Sequence, residues 1–140
     1  MFTGIIETVG RVQSVGQKGD YIILTVCPTK MFKELIPGES IAIDGCCLTV
    51  TRVDKKSFEI EASPESRRTT IIGSYHSGRM VNLERALIAG GRIGGHFVSG
   101  HIDCCGQIDK MSREGNILEI SIEYPEQYSE LVIEKGSMAR

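Results

Sequence analysis

An internal duplication limits what this chain can fold into more than any other feature of its sequence. Displaced by 96 positions, "FTGIIETVGRV" lies over "VSGHIDCCGQI" without a gap, matching Gly4 with Gly100, Ile6 with Ile102, Glu7 with Asp103 and Gly10 with Gly106. The same displacement sets "YIILTV" (21–26) over "ILEISI" (117–122) and "CPTKMFKEL" (27–35) over "EYPEQYSEL" (123–131). One residue further along, "SIA" at 40–42 meets "SMA" at 137–139. Agreement over so many segments in one order means two copies of a single supersecondary plan. Arg140 then corresponds to Ile43, so more than forty residues of the first copy are expected to lack a counterpart here.

Each copy reads as β-rich. Val9, Val12 and Val15 mark a first strand, Tyr21 to Val26 a second, and Ile41 to Val53 and Phe58 to Ile60 continue the series. The turn signals "QKGD", "PGES", "DG" and "VDKKS" separate them. Short helices are expected at 29–35 and around 63–68, the second with Ser63 as cap and Pro64 at the first helical position. Many short strands per repeat predict a small closed or nearly closed barrel.

The strand "DGCCLTVT" (44–51) divides sharply between its two faces. Cys46, Leu48 and Val50 form one apolar face, and Cys47, Thr49 and Thr51 a small polar one. Ile41 and Ile43 alternate with Ser40 and Ala42 in the same way. The polar face is either simply wet, as antiparallel sheets allow, or a binding surface. Thiol and hydroxyl groups in place of Lys and Glu favour binding.

Composition excludes several classes. The net charge of −2 comes from interleaved acids and bases, and with four Phe, four Tyr and no Trp there is neither a basic stripe nor a stacking platform; no nucleic-acid partner is expected. The N-terminus has no basic leader, and no apolar run is long enough to span a bilayer. No membrane is expected, and the reading is a soluble, cytoplasmic protein. Four of the five cysteines form the vicinal pairs 46–47 and 104–105. Such neighbours point to opposite faces of a strand and make poor disulfide partners. Neither pair has C-x-x-C spacing, so no metal is expected.

"MFTGIIE", "DGCCLTVT", "VNLERAL" (81–87) and "GGHFVSGHID" (94–103) together resemble the riboflavin synthase family, in order along the whole chain. The resemblance implies an all-β protein of two similar six-stranded Greek-key barrels. Here the N-terminal barrel is expected over 1–87, a glycine-rich linker over 88–95, and an incomplete C-terminal barrel over 96–140. It implies a homotrimer without cofactor or metal, and a transferase of riboflavin biosynthesis. Two molecules of 6,7-dimethyl-8-ribityllumazine become riboflavin and 5-amino-6-ribitylaminouracil by four-carbon transfer. The alternative is a lumazine- or flavin-binding protein without catalysis, or an inactive fragment of the enzyme.

The resemblance also implies a site between the N-terminal barrel of one subunit and the C-terminal barrel of another. It carries His101 of the "SGH" motif and Cys47 in as catalytic candidates. Phe2, Gly4, Ser40, Cys47, Thr49, Ser66 and Lys135 are carried over as substrate-binding candidates. Ser66 stands where the family has threonine, and Lys135 is the remnant of the second barrel's contribution. His101 could move the proton of an acidified lumazine methyl group; read from the residues alone, it is a structural histidine at a strand start. Cys47 could donate a hydrogen bond or attack a ring carbon, and with no group in the sequence to lower its pKa, positioning is favoured. The serine, threonine and aspartate of the family's second barrel fall beyond residue 140.

Overall fold

The computed structural model describes residues 1–139; Arg140, the last residue of the expected second unit, lies outside the described residues. Six strands form a closed barrel: β1 (Thr8–Lys18), β2 (Tyr21–Pro28), β3 (Ser40–Ile43), β4 (Cys46–Val53), β5 (Phe58–Ala62) and β6 (Met80–Arg85). Their order around the barrel is β1-β2-β5-β4-β3-β6, and antiparallel pairing of β1 with β6 closes it. Closure leaves no strand edge unpaired. The interior is filled by alternate residues of every strand, among them Val12, Leu24, Ile43, Val50, Phe58 and Leu83, each at most 1% exposed. Any ligand must therefore use the outside of this barrel.

Local chemistry explains the connections. Asp44 (φ 46°) and Gly45 (φ 82°) both occupy the left-handed region, as a two-residue hairpin demands. Ile43 and Cys46 consequently pair directly, which fixes the β3–β4 register. The short helix α1 (Pro64–Thr69) forms as expected: the Ser63 hydroxyl accepts from the Ser66 N–H, proline opens the first turn, and Arg67 and Arg68 lie in the last.

The helix expected at 29–35 does not form. The Thr29 N–H still donates to the Val9 carbonyl (2.8 Å), continuing the sheet. Glu34 turns to φ 63°, and Leu35 and Phe32 are spent on packing against the core. Held between Pro28 and Pro37, the segment packs onto the core as irregular chain rather than as a helix.

The second copy repeats the first in detail. Strands β7 (Gln107–Glu114) and β8 (Ile117–Glu123) form a two-stranded antiparallel sheet. The β1–β2 register slips between Val12 and Ser14, and the β7–β8 register slips between Ile108 and Lys110, the positions 96 residues later. Burial differs completely. Val12 and Val26 are 0% exposed, whereas their counterparts Ile108 and Ile122 are 61% and 39% exposed. Segment 96–106, which leads into the second copy, is irregular apart from one bridge, Phe2 with Val98. His101 accordingly lies in irregular chain ahead of β7, not at a strand start. Among the described residues no helix is long and apolar enough to cross a membrane.

Outside the barrel, Glu7 accepts from the Arg85 guanidinium at Oε2 (2.8 Å from Nη2, 3.2 Å from Nε) and at Oε1 (3.3 Å from Nε), and takes the Arg85 amide at Oε1 (2.8 Å). Burial pushes the Glu7 carboxyl upward, but these contacts and the Arg85 charge outweigh it and leave Glu7 below its ordinary 4.5.

Two outcomes follow from this architecture. Limited proteolysis should spare residues 1–87 and cut first in 88–95 or beyond; early loss of the N-terminal barrel would refute the domain division. A lowered folded-state pKa makes the Glu7 contribution complete above about pH 4.5 and lost as pH falls through the folded value. Glu7→Gln should therefore cost at most about 1 kcal/mol near neutral pH, because both partners are about a third exposed. The deficit should shrink toward about pH 3, as measured by denaturant melts of both proteins.

Candidate functional site

The β3–β4 hairpin turns its small polar side chains outward because the opposite face is committed to the core. Ile41, Ile43, Cys46, Leu48 and Val50 are all buried. On the outer face Ser40 stands opposite Thr49, and Ala42 opposite Cys47. Thr49 is next to Glu61 of β5, extending the polar row across three strands. Cys47 is partly accessible and Thr49 exposed.

The second repeat is laid against this face. The Cys47 N–H donates to the Gly100 carbonyl at 2.8 Å. A Cβ on Gly100 would lie 2.8 Å from the Cys47 Cβ and 2.9 Å from Phe2 Cε2, and the backbone there has φ 78°. Only glycine meets both demands. Gly4, its counterpart in the first repeat, has φ 79°. Phe2 and Val98, also 96 residues apart, exchange N–H···O bonds of 2.7 and 3.0 Å, placing a local two-fold relation between the repeats. Next to Gly100, His101 is exposed, with its N–H on the Ser99 hydroxyl (3.2 Å).

The sequence-derived candidates thus fall into groups. Cys47, Phe2, Gly4 and His101 converge where the repeats meet, and Ser40 and Thr49 continue outward along the hairpin. Phe2, expected beside a ligand ring, is 1% exposed and covered by Gly100. Ser66 is taken up in capping α1, bonded to the Ser63 hydroxyl and through its carbonyl to Thr70 (2.6 Å). Lys135 is exposed in a turn at φ 62°, at the position matching Gly38 of the first repeat. Among the described residues, no hydrogen bond or ion pair joins either residue to the hairpin face.

Two cavities border the meeting point. One of about 460 Å³ lies between the barrel end at Ile43, Ile72 and Tyr75 and the apolar face of β7–β8 at Ile108, Ile120 and Ile122. The other, about 950 Å³, is lined by Phe2, Gly4, Ala42, Glu84 and His96. His101 lines both, whereas Ser40, Cys47, Thr49 and Ser66 line neither.

Polar contacts stiffen the surroundings. Asp44 accepts from the Tyr75 hydroxyl (2.5 Å) and the Asn82 N–H (2.7 Å), and its own N–H donates to the Asn82 carbonyl (3.0 Å). Burial, then this bond, raise the Tyr75 hydroxyl far above its ordinary value, so it serves as a donor. Arg79 lies 4.6 Å from the Tyr75 ring centre. Burial, reinforced by Cys47, pushes the Cys46 thiol up to about 11. All five cysteines are free. Among the described residues no three His, Cys, Asp or Glu side chains are grouped to hold a metal.

Glu84 escaped the sequence reading. Alternation in "VNLERAL" places it outside the barrel with Asn82, yet it is 5% exposed. Its cover is the N-terminal segment, about 80 residues away in sequence: Glu84 accepts the Thr3 N–H and hydroxyl (both 2.6 Å) and the Gly4 N–H (3.1 Å). No local signal reports such a contact.

Comparison with known proteins adds the following. The family profile described as lumazine binding domain matches residues 3–86. The riboflavin synthase of Actinobacillus pleuropneumoniae is 39% identical over 99% of this chain and 64% of its own length, and that of Bacillus subtilis 38% over the same shares. The Brucella abortus riboflavin synthase is 38% identical, with 71% of its length covered. The chain thus spans about 64% of the length of the first two relatives. Two solved structures share the fold. LumP complexed with 6,7-dimethyl-8-(1'-D-ribityl) lumazine has a TM-score of 0.80 and 22% identity over 95% of this chain and 71% of its own. LumP complexed with riboflavin has a TM-score of 0.82 and 23% identity over 95% and 72%.

The opposed orientations of the two vicinal thiols can be tested directly. Cys46→Ser should cost about 1–3 kcal/mol, because it buries a poorly paired hydroxyl; Cys47→Ser should change stability by less than about 0.5 kcal/mol. Iodoacetamide at about pH 8 should label Cys47 ahead of Cys46, whose thiolate is scarce below about 11. Reversed results would mean a register shifted by one residue.

Proposed function

Because the chain belongs to the lumazine-binding domain family, with riboflavin synthases among its relatives, we propose that it acts as a riboflavin synthase. The reaction is the dismutation of two 6,7-dimethyl-8-ribityllumazine molecules into riboflavin and 5-amino-6-ribitylaminouracil. One observation carries the assignment of the site: the "SGH" segment of the second repeat lies directly on the small polar face of the first, through the 2.8 Å bond from Cys47 to Gly100. Ser40, Cys47 and Thr49 supply one thiol and two hydroxyls to the polar edge of a pteridine, without the charge that would demand an ionic partner.

The chemistry assigned to these groups is modest. A proton leaves the methyl group of one lumazine, the four-carbon unit passes to the other ring, and the proton is returned elsewhere. His101 is exposed beside the face, and an imidazole is suited to both proton steps near neutrality. Cys47 orients the ring by hydrogen bonding rather than by attack. Holding two lumazines face to face supplies most of the acceleration, since orientation removes much of the entropic cost of a bimolecular step. Assembly as a homotrimer, and a cytoplasmic location in keeping with five free cysteines, complete the proposal. Ser66 and Lys135 belong to it as outer contacts.

The purified chain should be mixed with the lumazine while riboflavin formation and lumazine fluorescence are both followed. Riboflavin should form, and His101→Gln should lower its rate by about 10²-fold or more while the lumazine Kd moves by less than about threefold. Lumazine bound but never converted would replace this reading with a binding protein; absence of binding would end both.

A further inference from the structure

Glu84 is the one charged residue buried among the described residues, and the chemistry proposed above makes no use of it. Among the described residues, its side-chain hydrogen bonds come from donors of the N-terminal segment: the Thr3 N–H, the Thr3 hydroxyl and the Gly4 N–H. An acidic side chain out of water needs such donors, and an alternative arrangement that left it unpaired would be costly. Residues 3 and 4 are thereby pinned to β6.

The pinned segment is also what the second repeat rests on. The Thr3 carbonyl accepts the His96 N–H (2.9 Å), and Phe2 exchanges two hydrogen bonds with Val98. Gly95 passes so close to the Thr3 carbonyl that a side chain there would collide with it. Two residues beyond Val98, Gly100 meets Cys47 and Phe2, and His101 follows. An unbroken series of contacts leads from Glu84 through Thr3 and Phe2 to Val98, Gly100 and His101.

We propose that Glu84 is a positioning residue: by anchoring Thr3 and Gly4 to β6, it sets where the His101 segment lies against Cys47. The catalytic part of this inference rests on the function proposed above; the structural part does not. Glutamine is the informative replacement, because its NH₂ group puts a donor where the N-terminal segment offers only N–H groups and one hydroxyl.

The test joins amide exchange with steady-state kinetics on the full chain. In Glu84→Gln, exchange at Val98 and Cys47 should quicken at least about tenfold, while Leu24 and Ile60 in the barrel interior keep their wild-type protection. Turnover of the lumazine should fall about tenfold with its Kd changed by less than about twofold, since the Ser40–Thr49 face is left intact. Thr3→Val, which removes one donor, should quicken Val98 exchange less, and it decides the matter if the glutamine variant does not fold. Wild-type exchange at Val98 and Cys47 in either folded variant would overturn the proposal. So would a uniform loss of protection through the barrel, which marks a general stability defect. If the wild-type chain makes no riboflavin, the functional reading fails, while the exchange result still decides whether Glu84 places the His101 segment.

Discussion

Pairing of β1 with β6 is the contact on which the rest of the molecule depends. It joins the start of the first repeat to its end, Thr8 opposite Leu83 and Arg11 opposite Met80. Without it the six strands would be an open, strongly twisted sheet with two free edges. With it the inward side chains fill a closed interior, and everything polar is forced outward. The small polar face of β3–β4 is thus a by-product of closure: where Cys46, Leu48 and Val50 must point in, Cys47 and Thr49 must point out.

The same closure explains why two copies of one plan end so differently. β7 and β8 reproduce the bulge and the hairpin of β1 and β2, because those depend on local sequence. Burial is not local. Val12, Leu24, Val26 and Leu35 are covered by β3 to β6 of their own barrel, and the described part of the second copy has no such strands over Ile108, Ile120, Ile122 and Leu131. What the second copy does contribute is its leading segment, which docks on the first through Phe2–Val98 and Gly100–Cys47. The repeats meet through their corresponding N-terminal segments, so the duplication itself brings Gly100 of one, the residue before His101, against Cys47 of the other.

Much of this was legible in the sequence. The 96-residue displacement gave the duplication, the pleat gave both faces of "DGCCLTVT", and "DG" gave the hairpin between them, because strand periodicity and turn chemistry are written residue by residue. Ser63 and Pro64 announced α1 for the same reason. The segment 29–35 misled because its apolar spacing resembles a helix while Thr29 still bonds to the sheet and Leu35 is buried in the core. For Ser66, the contact with the Ser63 hydroxyl that caps α1 decided what its own hydroxyl does.

Local pattern alone therefore determined the β-rich repeat, its turns, and which side chains share a face. Tertiary structure alone decided which apolar faces are covered, that Phe2 is enclosed rather than open, and that Glu84 is buried beneath residues 2–4. It also decided that His101 follows the glycine that meets Cys47 and lies in irregular chain rather than at the head of a strand. The division has one physical cause. Periodicity and turn preference arise from neighbours a few residues apart, whereas burial and hydrogen-bond partners arise from segments tens of residues apart that meet only when the barrel closes.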